Sequence, residues 1–353
     1  MKTYLIPSIL FYILASVVAP IKLLVGEPFF TEEFSSQTIE NINVISLPQQ
    51  GFAIIWLEKT AITYESSIKT QAFSYFGSQN LTTQQKLTQG FDYAEVKLKS
   101  NPINSIILSF LAEKKDLLNN NCSSYSLYYQ QLLSSTQGVM NEIFLGNFSI
   151  ENQQNYSFFN IFDVGQIQKK NEYILVYKEK DCLLGETIIK GQFFSNLGLE
   201  FEIIGLKMNG NLSQAYKNII FVKTKALKKV NAFLLVYLVE NNESQYDLLS
   251  QFFHTNGANL SDIIEIDNFG GDISNFSFDI SRNNMNRFIV SYLTNTGYYT
   301  SILDGVNYKF VSKFLIINNE NISVISSSLL TNQKFIILYD LGNSLGNETI
   351  YEI

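Results

Sequence analysis

The stretch Asn231-Ala-Phe-Leu-Leu-Val-Tyr-Leu-Val-Glu-Asn-Asn-Glu-Ser-Gln-Tyr-Asp-Leu-Leu-Ser-Gln-Phe-Phe-His-Thr-Asn-Gly257 decides the fold, because the chain carries nearly the same text earlier. Asn171-Glu-Tyr-Ile-Leu-Val-Tyr177 matches Asn231-Ala-Phe-Leu-Leu-Val-Tyr237 in register, and Gln192-Phe-Phe-Ser-Asn-Leu-Gly198 matches Gln251-Phe-Phe-His-Thr-Asn-Gly257. Self-similarity at a spacing of tens of residues marks a repeated supersecondary unit.

Outward from this pair, a short apolar run ending in an aromatic recurs: Phe52–Trp56, Ile106–Phe110, Tyr173–Tyr177, Phe233–Tyr237, Phe288–Tyr292 and Phe335–Tyr339. Each run is too short for a core helix, is rich in β-branched and aromatic residues, and is bounded by Asn, Gly, Lys or Gln. These features predict central strands that are apolar on both faces. An inner strand precedes the run, as in Ile42–Leu47 before a Pro48–Gly51 turn and in Ile322–Ile325. A third strand follows with Ile/Leu, Gln, Phe and Gly at fixed offsets: Ile68, Gln71, Phe73, Gly77; Ile189, Gln192, Phe194, Gly198; Leu248, Gln251, Phe253, Gly257. The second unit keeps Leu127, Gln130 and Leu132, and the fifth, Tyr298 to Gly305, loses the Gln. Fourth strands are predicted at Leu199–Ile204 and Ile263–Asp267.

Four short antiparallel strands in units of roughly 45 to 65 residues, repeated about six times, predict an all-β, six-bladed β-propeller over residues 27–353. Immunoglobulin-like domains need about twice that period. The motif Val-x-x-Leu-x-x-x-Gly-Phe-x-Ile-x-Trp at Val44 to Trp56, with Gln-x-Phe-x-x-x-Gly downstream, resembles the blade repeats of large secreted or surface proteins of bacteria and ciliates. The resemblance covers nearly all of the chain after residue 26 and implies architecture rather than an activity. The last unit offers three strands, and Pro28–Gln37, with its Phe-x-x-x-Phe alternation, is expected to supply its fourth and close the ring.

Residues 1–26 read as a secretory signal or an uncleaved anchor: Lys2 precedes an uncharged stretch from Tyr4 to Ile21, with Pro20 after the small-residue site at Val17–Ala19. The expected address is therefore secreted or cell-surface, with membrane contact only through this segment. Sequons at Asn80, Asn121, Asn147, Asn155, Asn211, Asn242, Asn259, Asn275, Asn321 and Asn347 agree with export. The two cysteines, Cys122 and Cys182, lie in second-to-third-strand loops of neighbouring units and are expected to pair. A net charge of −7 argues against a nucleic-acid partner. The basic residues Lys223, Lys225, Lys228 and Lys229 read as a solvated loop ahead of a strand.

Catalytic constellations are hard to assemble from this inventory. His254 is the only histidine, which leaves triad and multi-His metal designs short of parts, and it reads as a turn residue. Sialidase-like propellers use three arginines, whereas only Arg282 and Arg287 are present here. Glu265, Asp267, Asp272 and Asp279 around Gly270-Gly271 fit no calcium-loop spacing and read as an ordinary acidic turn. Trp56 stands where sister units have Tyr or Phe and reads as core. The expectation from sequence is a non-enzymatic, glycosylated, extracytoplasmic binding or structural module with a protein or glycan ligand and no metal or cofactor. The alternatives are a carbohydrate-active hydrolase with a carboxylate pair in the central channel, or a fragment of a larger cell-surface protein.

Overall fold

The computed structural model describes the strands between residues 37 and 205, residues 216–317 apart from 228, 229, 272, 274, 275 and 284, and three strands between 322 and 352. Strands β1 (Gln37–Leu47), β2 (Gly51–Thr60), β3 (Ser66–Ser74) and β4 (Gln79–Gln85) form an antiparallel sheet in chain order. Then follow β5 (Phe91–Asn101), β6 (Ser105–Lys114), β7 (Cys122–Leu133) and β8 (Ile143–Glu151), and after them β9 (Phe162–Ile167), β10 (Glu172–Lys180), β11 (Thr187–Ser195) and β12 (Glu200–Gly205). Each of these two sets pairs consecutively, and one pairing, Lys180 of β10 with Ser149 of β8, joins them. Two more four-stranded sheets are made by β13 (Tyr216–Ala226), β14 (Ala232–Asn241), β15 (Tyr246–His254) and β16 (Ile264–Phe269), and by β17 (Ser277–Arg282), β18 (Arg287–Thr294), β19 (Gly297–Asp304) and β20 (Lys309–Ile317). The last sheet contains β21 (Ile322–Leu329), β22 (Phe335–Leu341) and β23 (Thr349–Glu352).

The predicted central strands are β2, β6, β10, β14, β18 and β22, and their continuous apolar runs have a packing reason. Phe233, Leu235, Tyr237 and Val239 of β14 pack with Ile174 and Val176 of β10. The intervening Leu234, Val236 and Leu238 pack with Phe278 and Ile280 of β17 and with Phe288 and Val290 of β18. A strand sandwiched between two sheets must be apolar at every position, and each large side chain so buried contributes roughly 1.5–3 kcal/mol. Trp56 is likewise buried on β2.

Register confirms the alignment of the units. Opposite the first residue of the first five central runs stand Phe73, Leu132, Phe194, Phe253 and Leu303, facing Phe52, Ile106, Tyr173, Phe233 and Phe288 respectively. The divergent fifth unit therefore carries Leu303 in the Phe position and Ser301 in the Gln position. Asparagines close two of the hairpins: the Asn241 side-chain oxygen accepts from the Glu243 and Gln245 N–H groups, and Asn283 does the same for Met285 and Arg287. First strands lie side by side, β1 with β5, β5 with β9, β9 with β13, β13 with β17 and β17 with β21.

Residues 1–26, the proposed closing strand before Gln37, Cys182, and the sequons at Asn121, Asn155, Asn211, Asn275, Asn321 and Asn347 lie outside the described residues. Among the described residues, no helix is long and apolar enough to cross a membrane.

Candidate functional site

The innermost strands carry a polar level that the repeat register exposes. Opposite the fourth residue of each central run stand Asn43 (facing Ile55), Lys97 (Ser109), Asp163 (Val176), Lys223 (Val236), Asp279 (Ser291) and Ser326 (Leu338). Every residue at this level is polar, and four consecutive strands read Lys, Asp, Lys, Asp. The next register step toward the start of the run holds Val44, Leu98, Val164, Thr224, Ile280 and Ser327, mostly apolar. Strand alternation separates the two sets, so the polar level is one belt of residues and not a scatter.

Four register shifts lie on inner strands near the same level, with others elsewhere in the sheets and none in the pairings of β9 or β17. Register shifts fall between Glu40 and Asn43 in β1, Tyr93 and Glu95 in β5, Ile219 and Phe221 in β13, and Val324 and Ser326 in β21. A bulge bends its strand and re-aims side chains, and bulges are enriched next to active sites.

At β13 and β17 the belt is described in atomic detail. Lys223 Nζ donates to the Phe278 carbonyl oxygen and lies 3.6 Å from Asp279 Oδ1 and 5.2 Å from the centre of the Phe278 ring. The two side chains are 20% and 34% exposed, so the pair sits where water reaches it only in part. Toward the other end of the same strands, the Arg282 guanidinium donates to the Ala226 carbonyl oxygen, and burial lowers its pKa.

These contacts correct the reading of the lysine cluster. Lys223 and Lys225 belong to β13, because Val222, Thr224 and Ala226 alternate with them into the protein and carry the strand through to Ala226. The acidic cluster is dispersed: Asp279 meets Lys223, Asp267 meets Lys313 at 2.5 Å, and Glu265 is exposed on β16. Asp272 lies outside the described residues, and no group of three or more metal-ligating side chains occurs among those described. His254 ends β15, where its Nδ1 accepts from the Asn256 N–H at 3.2 Å. Arg287 is exposed. Asn242 and Asn259 are exposed in connections of the β13–β16 sheet, whereas Asn80 and Asn147 fall within β4 and β8. The belt was missed because its members were read singly; aligning inner strands by their central runs would have found it.

A concavity of about 650 Å³ opens between the third-to-fourth-strand connections of two sheets. It is lined by residues that include Asn259, Ser261, Tyr308, Lys309 and Phe310.

No protein family matches the sequence, and no curated protein matches it. Solved structures do share its fold. An α-L-arabinofuranosidase of Fusarium graminearum in complex with an iminosugar inhibitor superimposes with a TM-score of 0.55 at 10% identity, covering 89% of this chain and 92% of that one. An α-L-arabinanase of Penicillium chrysogenum complexed with arabinobiose gives 0.50 at 10% identity, with 89% and 93% covered. The chain is thus all-β, with antiparallel four-stranded sheets and propeller-fold neighbours. The expectation of a non-enzymatic module is contradicted by these two neighbours, both glycoside hydrolases that superimpose over most of this chain's length. A propeller enzyme needs no local motif, because acids from separate strands meet only in the folded ring, so composition and spacing give no signal for or against one.

Proposed function

We propose that the chain is an extracytoplasmic, six-bladed propeller that hydrolyses glycosidic bonds, with Asp163 and Asp279 of the inner belt as its two carboxyl groups. The observation that carries this reading is the shared level of the two aspartates on β9 and β17, with Lys223 of β13 between them in strand order. Glycoside hydrolysis requires two carboxyl groups flanking one bond: one protonates the leaving oxygen, and the other attacks the sugar carbon or activates water. Asp279, ion-paired with Lys223, serves as the carboxylate, and Asp163 serves as the acid. Lys223 positions Asp279 and is not itself a proton carrier in the reaction. The six-bladed reading is supported by the six inner strands that lie side by side among the described residues, and the exported address by the apolar segment ahead of residue 27.

The substrate class is suggested by the neighbours, an arabinofuranosidase and an arabinanase solved with an inhibitor or a disaccharide. Purified full-length protein should hydrolyse a member of a glycoside panel that includes arabinobiose and nitrophenyl pentofuranosides. Asp279→Asn and Asp163→Asn should each lower kcat by about 10²-fold or more without loss of fold, as general acid–base removal does. Hydrolysis that survives in both variants, or no hydrolysis anywhere in the panel, would overturn the proposal.

A further inference from the structure

The groove beside β20 holds a sequon. Asn259 is exposed on its wall, within the sequence Asn259-Leu260-Ser261, and Ser261 lies on the same wall. The Ser261 hydroxyl accepts from the Phe252 N–H at 3.0 Å and donates to the Asp262 carbonyl at 2.7 Å. Gln251 Nε2 donates to the Ser261 carbonyl at 3.0 Å. In the folded state the sequon's hydroxyl is thus engaged by the backbone on both sides.

The opposite wall is built on purpose. Tyr308 takes a left-handed backbone with φ of 53°, a conformation that costs a non-glycine residue energy. Its ring lies 5.3 Å from the ring of buried Phe252, which holds it in place. Phe310, next but one, is 37% exposed. Aromatic and aliphatic side chains beside amide and hydroxyl groups and the charged Asp262 and Lys309, around a volume of about 650 Å³, suit a small polar ligand with apolar faces.

We infer that this groove seats the first sugars of a glycan carried by Asn259, packed against Tyr308 and Phe310. The occupant is the chain's own modification, already tethered at the rim, so no diffusing partner is required. The inference rests on the exported address and not on hydrolytic activity.

The test uses full-length protein made in a eukaryotic host that adds high-mannose glycans, once with its own N-terminus and once with a host leader joined ahead of Met1. Asn259 should be occupied. An endoglycosidase should release its glycan from folded protein about tenfold more slowly than from denatured protein, which corresponds to a seated fraction of about nine-tenths. The exposed turn at Asn242 is the internal control and should show no such protection. Phe310→Ala, on a partly exposed side chain, should abolish protection with the melting temperature unchanged, and Tyr308→Ala, which also removes packing on Phe252, should abolish it with some loss of melting temperature. Occupancy with the host leader only would count against the native address and leave the groove tested by protection. An unoccupied Asn259 in the leader-bearing protein, or release at the denatured rate, would overturn the inference.

Discussion

Tyr298 shows how a single residue of the central packing links the fold to pH. It is fully buried on β19, and burial pushes its hydroxyl pKa up to about 12, with the neighbouring Ser291 and Thr300 hydroxyls acting in the other direction and the Asp279 charge adding to the rise. Burial also raises Tyr292, with Asp267 adding to the effect and Ser301 opposing it. The folded-state value of Tyr298 lies above its ordinary 10.0, so its contribution is complete below that pH and is lost as pH rises toward the folded value. At full titration the loss is roughly 2–3 kcal/mol. Tyr298→Phe, which cannot ionise, should therefore lose less of its urea midpoint than the parent between about pH 9 and pH 11; parallel losses would show that this hydroxyl is not a determinant. Residue-scale legibility was uneven. The repeated Gln was visible as a motif, but its purpose was not. Gln251 is buried, and its amide bonds to Ser261, so it ties the third strand to the connection that follows. Lys223 was misread because a run of lysines looks like solvent, and only the burial of Val222, Thr224 and Ala226 shows the strand passing through it.

Elements were the most legible scale, because a strand buried on both faces cannot hide its composition. All six central strands and the third strand at Thr349–Glu352 stand where periodicity placed them. The disulfide expected between Cys122 and Cys182 is also an element-scale matter. Cys122 opens β7 opposite Glu151 of β8, and β8 receives Lys180 of β10 opposite Ser149. The end of β10, two residues short of Cys182, is thereby brought against the strand that pairs with the start of β7. We propose that the bond forms on export. It would close a loop of about 60 residues, for a chain-entropy stabilisation of roughly 4 kcal/mol. Mass spectrometry of a non-reduced digest of the exported protein should find the Cys122–Cys182 cross-linked peptide, and Cys122→Ser should lower stability by an amount of that order. Both thiols alkylated in native exported protein would refute the pairing.

At the scale of the whole molecule, the proposed propeller requires the row of inner strands from β1 to β21 to close into a ring. In four sheets a fourth strand is followed by a short link to the next inner strand: Gln85 to Phe91, Glu151 to Phe162, Gly205 to Tyr216 and Phe269 to Ser277. The link from Ile317 to Ile322 follows the same rule. The segment directly ahead of β1 therefore occupies, in sequence, the place of a fourth strand, and Pro28–Ser36 carries the Phe-x-x-x-Phe alternation such a strand needs. Among the described residues, β23 is the outer strand of the last sheet, paired to β22 through Ile336–Glu352 and Tyr339–Thr349. We propose that residues 28–36 pair along β23, so that both ends of this chain build one blade and β1 is drawn beside β21. An unpaired β23 would be a raw edge able to template association with other chains. Deleting residues 28–36 should lower the melting temperature by about 5 °C or more and produce concentration-dependent oligomers. It should also abolish hydrolysis, because the polar level reaches from Asn43 on β1 to Ser326 on β21 and needs the ring shut. A deletion variant that stayed monomeric, melted with the parent and kept its activity would show that the ring closes by other means.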